Sequence, residues 1–143
     1  MTWRRTAITL AMVSGMVVFL PFLQVARGIG HFDLTIEVDP SQPIDEAAMR
    51  FSVCWNQQYL TNVLETGTPT EGEWTAGHSV SAEHFQIEVP YSTRTGPFHI
   101  ESSYVQPQFL VVEYSLSNPQ RQVRKAFPIP EGRGARSMLV TVP

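Results

Sequence analysis

The segment His31-Phe32-Asp33-Leu34-Thr35-Ile36-Glu37-Val38 alternates polar and apolar residues without interruption. Successive side chains of a β-strand point to opposite faces of the sheet, so this alternation places all of its apolar residues on one face. A strand with one apolar face is typical of a sheet that covers a hydrophobic core on one side and meets solvent on the other. The segment therefore predicts a strand-rich domain that begins close to Gly30.

The same two-residue period recurs toward the C-terminus. Apolar residues alternate in Met49–Trp55, in His84–Tyr91 and in Met138–Val142. The segment Phe109–Leu116, FLVVEYSL, is apolar on both faces in its middle, which is typical of a central strand. Turn residues separate about seven or eight such short strands. We therefore predict an all-β fold over residues 29–143, an antiparallel β-sandwich of immunoglobulin-like or related Greek-key type, with a small β-barrel as the alternative.

One stretch between these strands is ambiguous. Tyr59, Leu60, Val63 and Leu64 are spaced as on one face of a helix, yet residues 57–65 also have a composition that suits a strand. A short apolar run does not distinguish the two, and we slightly favour a strand. The next segment, Thr66–Gly77, is rich in threonine and glycine and is predicted to be a loop.

The N-terminus carries a different signal. Thr6–Ala26 is an uncharged run of 21 residues that follows Arg4 and Arg5 and stops at Arg27. As a helix it would reach about 30 Å, the thickness of the hydrocarbon core of a bilayer. Positive charge before the run keeps the N-terminus in the cytoplasm. We therefore predict one hydrophobic transmembrane or signal helix and a single-pass membrane protein with its β domain outside the cytoplasm.

Two fates of this N-terminal segment, residues 1–28, fit the sequence. An uncleaved signal anchor requires about 20 apolar residues, which the run supplies. A cleaved signal peptide requires a small-residue cleavage site, and Ala26-Arg27-Gly28 offers one. In the first case the protein stays in the membrane through residues 6–26, and in the second it is secreted or periplasmic after cleavage near Gly28.

Charge and cysteine content exclude some classes of protein. Residues 29–143 hold all 13 acidic residues and seven of the ten basic ones, so the predicted domain has a net charge of −6. A net-negative domain is a poor ligand for nucleic-acid phosphates, and we predict no nucleic-acid partner. Cys54 is the only cysteine, so no internal disulfide stabilises the domain.

The residue types that carry out chemistry do not form a recognisable pattern. His31, His78, His84 and His99 show none of the usual spacings of metal ligands, and the chain has no Gly-x-Ser-x-Gly segment. Cys54 would need a neighbouring base to act as a nucleophile. We therefore predict no catalytic residue, no metal site and no cofactor.

The aromatic residues are more informative about function. Trp74 lies in a polar loop, where a large indole is unexpected, and Tyr59 and Tyr91 are candidates for half-exposed positions. Exposed aromatic rings stack on sugars or anchor protein partners, so we predict that Trp74, Tyr59 and Tyr91 bind a ligand. The alternative for Trp74 is that it folds back over one end of the sandwich.

Two functions follow from these patterns. The first is a non-enzymatic, membrane-anchored, extracytoplasmic binding or structural module, whose partner is an envelope protein or a polysaccharide. The alternative is a small exported metal-binding protein or enzyme that uses histidine and acidic side chains.

Overall fold

The computed structural model describes residues 2–19, 26–40, 48–70, 72–81, 83–96, 98, 100–117 and 120–142. Strands account for most of them, which confirms the prediction of a β-rich chain. In chain order the elements are α1 (Thr2–Phe19), β1 (Ala26–Pro40), β2 (Arg50–Cys54), α2 (Gln57–Thr66), β3 (His78–Ser81), β4 (His84–Thr95), β5 (Glu101–Val105), β6 (Phe109–Ser117), β7 (Gln120–Pro128) and β8 (Arg136–Val142).

Contacts divide the chain into two units. The smaller unit comprises Met1–Gly30 and Ser92–Val105, and the larger unit comprises His31–Tyr91 and Gln106–Pro143. The predicted boundary between residues 28 and 29 falls inside strand β1.

Two sheets enclose the main core of the larger unit. One sheet has the strand order β3-β4-β1-β8, and the other has the order β2-β6-β7. The alternating apolar residues of β1 meet those of β6 in one buried cluster, as the sequence pattern requires. This arrangement of two packed sheets is consistent with a β-sandwich. The buried residues that both sheets contribute are Phe32, Leu34, Ile36, Val38, Phe51, Phe85, Ile87, Val89, Leu110, Val112, Tyr114, Leu116, Val140 and Val142.

Strand β6 is central, as its composition predicted. It pairs antiparallel with β2 on one side and with β7 on the other. Leu110, Val111 and Val112 are all fully buried, which explains why the segment is apolar on both faces.

The prediction that all strands are antiparallel is wrong. Strand β1 pairs with β8 in parallel, from Leu34 opposite Arg136 to Pro40 opposite Val142. Alternation of apolar residues determines which face of a strand is buried but says nothing about its direction. Because β1 and β8 lie at opposite ends of the domain sequence, no hairpin forces them to be antiparallel.

The preference for a strand at residues 57–65 is also wrong, because this stretch forms α2. The side chain of Asn56 caps the helix by accepting a hydrogen bond from the backbone N of Tyr59 at 3.0 Å. Gly67 ends it in the left-handed conformation, with φ of 71°, and donates its N–H to the carbonyl of Val63 at 2.9 Å. Leu60 and Val63 form the buried face, three residues apart as a helix requires.

The prediction of a long apolar N-terminal helix is wrong for the residues that the structure describes. Helix α1 ends at Phe19, and Ala26, the last residue of the predicted run, begins β1. Residues 20–25 lie outside the described residues. The uncharged part of α1, Thr6–Phe19, reaches about 21 Å at the helical rise per residue, against about 30 Å for a bilayer core. Among the described residues no helix combines the length and the apolar character that crossing a membrane demands.

The smaller unit contains a β-hairpin. The end of β4 pairs antiparallel with β5, with Ser92 opposite Val105 and Thr93 opposite Tyr104. The backbone N of Gly96 donates to the carbonyl of Ile100 at 2.8 Å and closes the hairpin.

Candidate functional site

The outer face of the three-stranded sheet is covered by α2. Leu60 and Val63 of the helix pack against Cys54 of β2 and Val111 of β6 and form a second buried cluster, separate from the main core. Tyr59, Trp74, Phe109 and Ala126 pack around this cluster and are partly buried. The helix is therefore held on the sheet by apolar contacts. The charged side chains on the same outer face of the sheet lie beside the helix.

An Arg–Glu–Arg triad crosses this outer face. Arg50, Glu113 and Arg124 stand in register on β2, β6 and β7. The Nε of Arg50 donates to Oε1 of Glu113 at 3.0 Å, and its Nη2 donates to the same oxygen. The Nε of Arg124 donates to Oε2 of Glu113 at 2.8 Å. Each carboxylate oxygen thus has its own arginine.

Burial makes this triad energetically important. The side chain of Glu113 is 2% exposed, whereas those of Arg50 and Arg124 keep part of their surface in solvent. A buried carboxylate is tolerated only when it is paired and hydrogen-bonded, and both conditions hold here. The sequence patterns did not predict this triad, although Glu113 is the single acidic residue inside the apolar segment FLVVEYSL, and a buried acid of this kind requires a charged partner.

Trp74 lies against this triad and the second cluster. Its Nε1 donates to the carbonyl of Gly67 at 3.0 Å, just after the end of α2. The guanidinium carbon of Arg50 lies 5.2 Å from the centroid of the indole, within the range of a cation–π contact. The indole is half-buried rather than freely exposed, so a partner would meet only the part of the ring that these contacts leave in solvent.

The loop after α2 is held by hydrogen bonds of its own side chains. Nδ2 of Asn62 donates to Oγ1 of Thr70 at 2.7 Å and to the carbonyl of Thr68 at 3.3 Å. Oγ1 of Thr66 accepts from the backbone N of Thr68 at 3.1 Å. Local hydroxyl and amide bonds of this kind fix a turn without a hydrophobic core. The exposed surface of Thr66–Thr70 is therefore pre-organised.

Gly67 is required by this geometry. Its positive φ favours glycine, and a Cβ at this position would collide with the guanidinium of Arg124. The helix end, the triad and Trp74 thus meet at one residue.

The far end of the loop is joined to the edge of β2. Thr75 and Phe51 exchange two backbone hydrogen bonds, of 2.8 and 2.9 Å. Oγ1 of Thr75 donates to the carbonyl of Phe51 at 3.1 Å. We call residues 66–77, which include Trp74, the loop site. Glu71 lies outside the described residues.

The three predicted binding residues do not converge. Tyr59 and Trp74 border the same second cluster, so the structure brings these two together. Tyr91 packs instead against the main core, where its ring stacks on Phe32 with centroids 6.5 Å apart. Alternation along β4 showed that Tyr91 shares a face with buried residues but not which aromatic ring it would meet.

The enzymatic or metal-binding alternative depends on Cys54 and on the histidines and acidic residues. Cys54 is buried beneath α2, and burial raises the pKa of its thiol, which opposes formation of a nucleophilic thiolate. Within the described ranges no three His, Cys, Asp or Glu side chains are grouped as metal ligands. His99 lies outside those ranges.

Comparisons with known proteins give no further assignment. No protein-family model, curated protein or solved structure matches this chain.

Proposed function

We propose that this protein is a non-enzymatic binding or structural module that presents the loop site to a partner outside the cytoplasm. The observation that carries the proposal is the pre-organised loop that follows α2. Its hydrogen bonds join Asn62 to Thr70 and Thr66 to Thr68. The Nε1 of Trp74 donates to Gly67 at the start of the loop, and Thr75 joins its far end to β2. Binding costs less conformational entropy when the contacting loop is already ordered. The partner class is an envelope protein or a polysaccharide, since a partly exposed indole beside hydroxyl groups suits both.

The proposed location rests on the sequence. Arg4 and Arg5 precede the uncharged run Thr6–Ala26, and this order of charge keeps the N-terminus in the cytoplasm. The protein then associates with the membrane through residues 6–26, or it is released after cleavage near Gly28.

We also propose that the two sheets form a sandwich of immunoglobulin-like or related Greek-key type. Both sheets pair strands that are distant in sequence, such as β2 with β6 and β1 with β8. Long connections of this kind support an immunoglobulin-like or related Greek-key arrangement.

The loop site is tested by site-specific photo-crosslinking in cells. Thr68 is exposed, so a photo-reactive residue replaces it without loss of buried packing. Leu139, 58% exposed on β8, is the matched control. We expect a discrete crosslinked product at Thr68 that is absent at Leu139, and protease or glycosidase digestion of the product identifies its class. Equal crosslinking at both positions, or none at either, contradicts the loop site.

The location is tested separately by fusing a reporter that is active only in the cytoplasm after Pro143. We expect the fusion to be silent. A reporter as active as its cytoplasmic control contradicts export, whatever the crosslinking shows.

A further inference from the structure

The hairpin between β4 and β5 presents exposed apolar side chains at its end. We call Gly96, Phe98 and Ile100 the hairpin tip. Phe98 is 59% exposed and Ile100 is 67% exposed. Phe98 also has a φ of 62°, in the left-handed region that bulky residues rarely adopt. Backbone strain of this kind is concentrated at functional sites, because folding alone does not favour it.

The strand register locates the hairpin tip relative to the N-terminal run. Strands β1 and β4 are neighbours in the sheet. The backbone N of Val38 bonds to the carbonyl of Glu83, while a Cβ at Gly28 would lie 2.8 Å from Oγ1 of Thr93. The partner of Gly28 is Thr93 and that of Val38 is Glu83, just before β4, so partner numbers fall as they rise along β1 and the two strands are antiparallel. The same register, continued to the start of β1, places Ala26 opposite Thr95.

The hairpin tip is therefore close to the point where the uncharged run joins the first strand. Phe98 is three residues beyond Thr95, a distance of about 10 Å at most along the chain. Ala26 is the last residue of the run that we propose to associate with the membrane. If the run associates with a membrane, as proposed, the surface at its end would lie near Phe98 and Ile100.

Exposed apolar surface is concentrated in the smaller unit. Among the described residues, the larger unit exposes only three large apolar side chains, those of Leu64, Val80 and Leu139. The smaller unit exposes Ile8, Leu10, Met12, Val13, Ile29, Phe98, Ile100 and Val105. Exposed apolar side chains that are concentrated in one part of a protein can mark a contact with a partner or a membrane.

We infer that the hairpin tip inserts into the interfacial region of the lipid bilayer beside the N-terminal run. This inference rests on the proposed association of residues 6–26 with a membrane. We infer a lipid contact because the hairpin tip lies close in space to the end of an uncharged, apolar segment. Aromatic and aliphatic side chains are also favoured at the boundary of headgroups and acyl chains.

The charged residues near the hairpin tip also favour a lipid surface. Arg27 and Arg94 are exposed on the neighbouring strands just inside the hairpin tip, and Glu101 is the acidic residue beside Ile100. The negative net charge of the domain would be repelled by anionic lipids, but basic residues near the tip attract them.

The inference is tested by measuring the depth of a fluorescent label in the full-length protein. Phe98→Cys and, separately, Ile100→Cys are labelled with an environment-sensitive fluorophore. The native Cys54 stays in place, because its buried thiol with a raised pKa reacts poorly, and the unsubstituted protein measures any residual labelling. Val80→Cys is the matched control, since Val80 is 58% exposed but belongs to β3.

The labelled proteins are reconstituted into phosphatidylcholine vesicles that contain a minority of phosphatidylglycerol, with or without a lipid that carries a nitroxide near the headgroup. We expect the nitroxide to lower fluorescence about twofold at positions 98 and 100, since interfacial side chains lie about 5–10 Å deep. At position 80 the fluorescence should not change.

The other outcomes separate the two proposals. If the protein does not sediment with the vesicles, the proposed membrane association fails. If it sediments but positions 98 and 100 are quenched no more than position 80, only the insertion of the hairpin tip is overturned. A fluorescence increase that depends on protein concentration and resists the nitroxide also overturns it, because a second copy of the chain then covers the tip.

Discussion

The two faces of strand β6 are buried by different kinds of contact. On the inner face, Leu110, Val112 and Leu116 join the main core with residues of the opposite sheet. On the outer face, Val111 is covered by α2, while Glu113 is neutralised by arginines on both neighbouring strands. The inner face thus depends on apolar packing, whereas the outer face depends on a helix and a charged network. The outer face borders the loop site, so polar, geometrically specific contacts are concentrated where we place the function.

The largest expected effect is on the inner face. Val112→Asp places an unpaired charge in the main core, where Val112 is fully buried. The cost is several kcal/mol or more, comparable with the whole free energy of unfolding of a domain, about 5–15 kcal/mol. We expect loss of the cooperative thermal transition followed by circular dichroism. Leu139→Asp is the exposed control and should cost no more than about 0.5 kcal/mol. A folded Val112→Asp protein would show that the inner face is not a sealed core.

A smaller effect is expected on the outer face. Glu113→Gln removes the charge that holds Arg50 and Arg124, and leaves the two guanidinium groups without a common anion. Hydrogen bonds to charged groups contribute about 1.5–3 kcal/mol, and we expect a loss in that range because both arginines can still reach solvent. Urea unfolding measures the change.

Glu88→Gln is the matched control for the triad, since Glu88 is exposed on β4. If Glu113→Gln destabilises the protein no more than Glu88→Gln, the distinction between a packed inner face and a charge-dependent outer face is lost.

Trp74→Ala measures how much the indole contributes to the stability of the outer face. The indole contributes a hydrogen bond to Gly67, a contact with Arg50 and part of the cover over the second cluster. A fully buried tryptophan truncated to alanine costs about 3–5 kcal/mol, so a half-buried one should cost about 2 kcal/mol. Trp74→Phe keeps an aromatic ring but removes the N–H donor and part of the packing area of the indole, and it should cost about 1 kcal/mol. Equal, negligible shifts in the melting temperature would show that Trp74 makes no structural contribution.

The smallest effect has the opposite sign and concerns the one polar group on the inner face of β6. The hydroxyl of Tyr114 is buried and has no hydrogen-bond partner among the described residues. Tyr114→Phe removes this unsatisfied group and should stabilise the protein by about 1 kcal/mol, measured by urea unfolding at neutral pH. Destabilisation by the substitution would indicate that the hydroxyl has a partner.

The same substitution should alter the response to alkaline pH. Burial raises the pKa of Tyr114, although the charge of Arg121 partly lowers it. The unfolded chain ionises its tyrosines near pH 10, while the folded protein keeps Tyr114 neutral, so stability falls as the pH rises above about 10. Tyr114→Phe should weaken this loss. Cys54, whose pKa burial also raises, contributes equally to both proteins.

Local patterns in the sequence predicted much of the fold. The alternation in His31–Val38 and His84–Tyr91 identified β1 and β4, and the apolar segment Phe109–Leu116 identified the central strand β6. Strand β3 was missed because all of its residues are exposed and no apolar face marks it. The candidate site was predicted less well. The sequence made Trp74 and Tyr59 candidates for binding, which stays a prediction, and it did not reveal that Arg50 lies over the indole of Trp74.

The sequence by itself determined which residues of β1 and β4 face the core, because side-chain alternation is a property of a single strand. Only the tertiary structure decided that β1 and β8 run parallel and that Glu113 lies between Arg50 and Arg124. Both depend on which distant strands become neighbours, and no local pattern encodes that choice. Helix α2 depends on both, because its caps Asn56 and Gly67 are local features of the sequence, whereas the burial of Leu60 and Val63 requires the sheet that the helix covers.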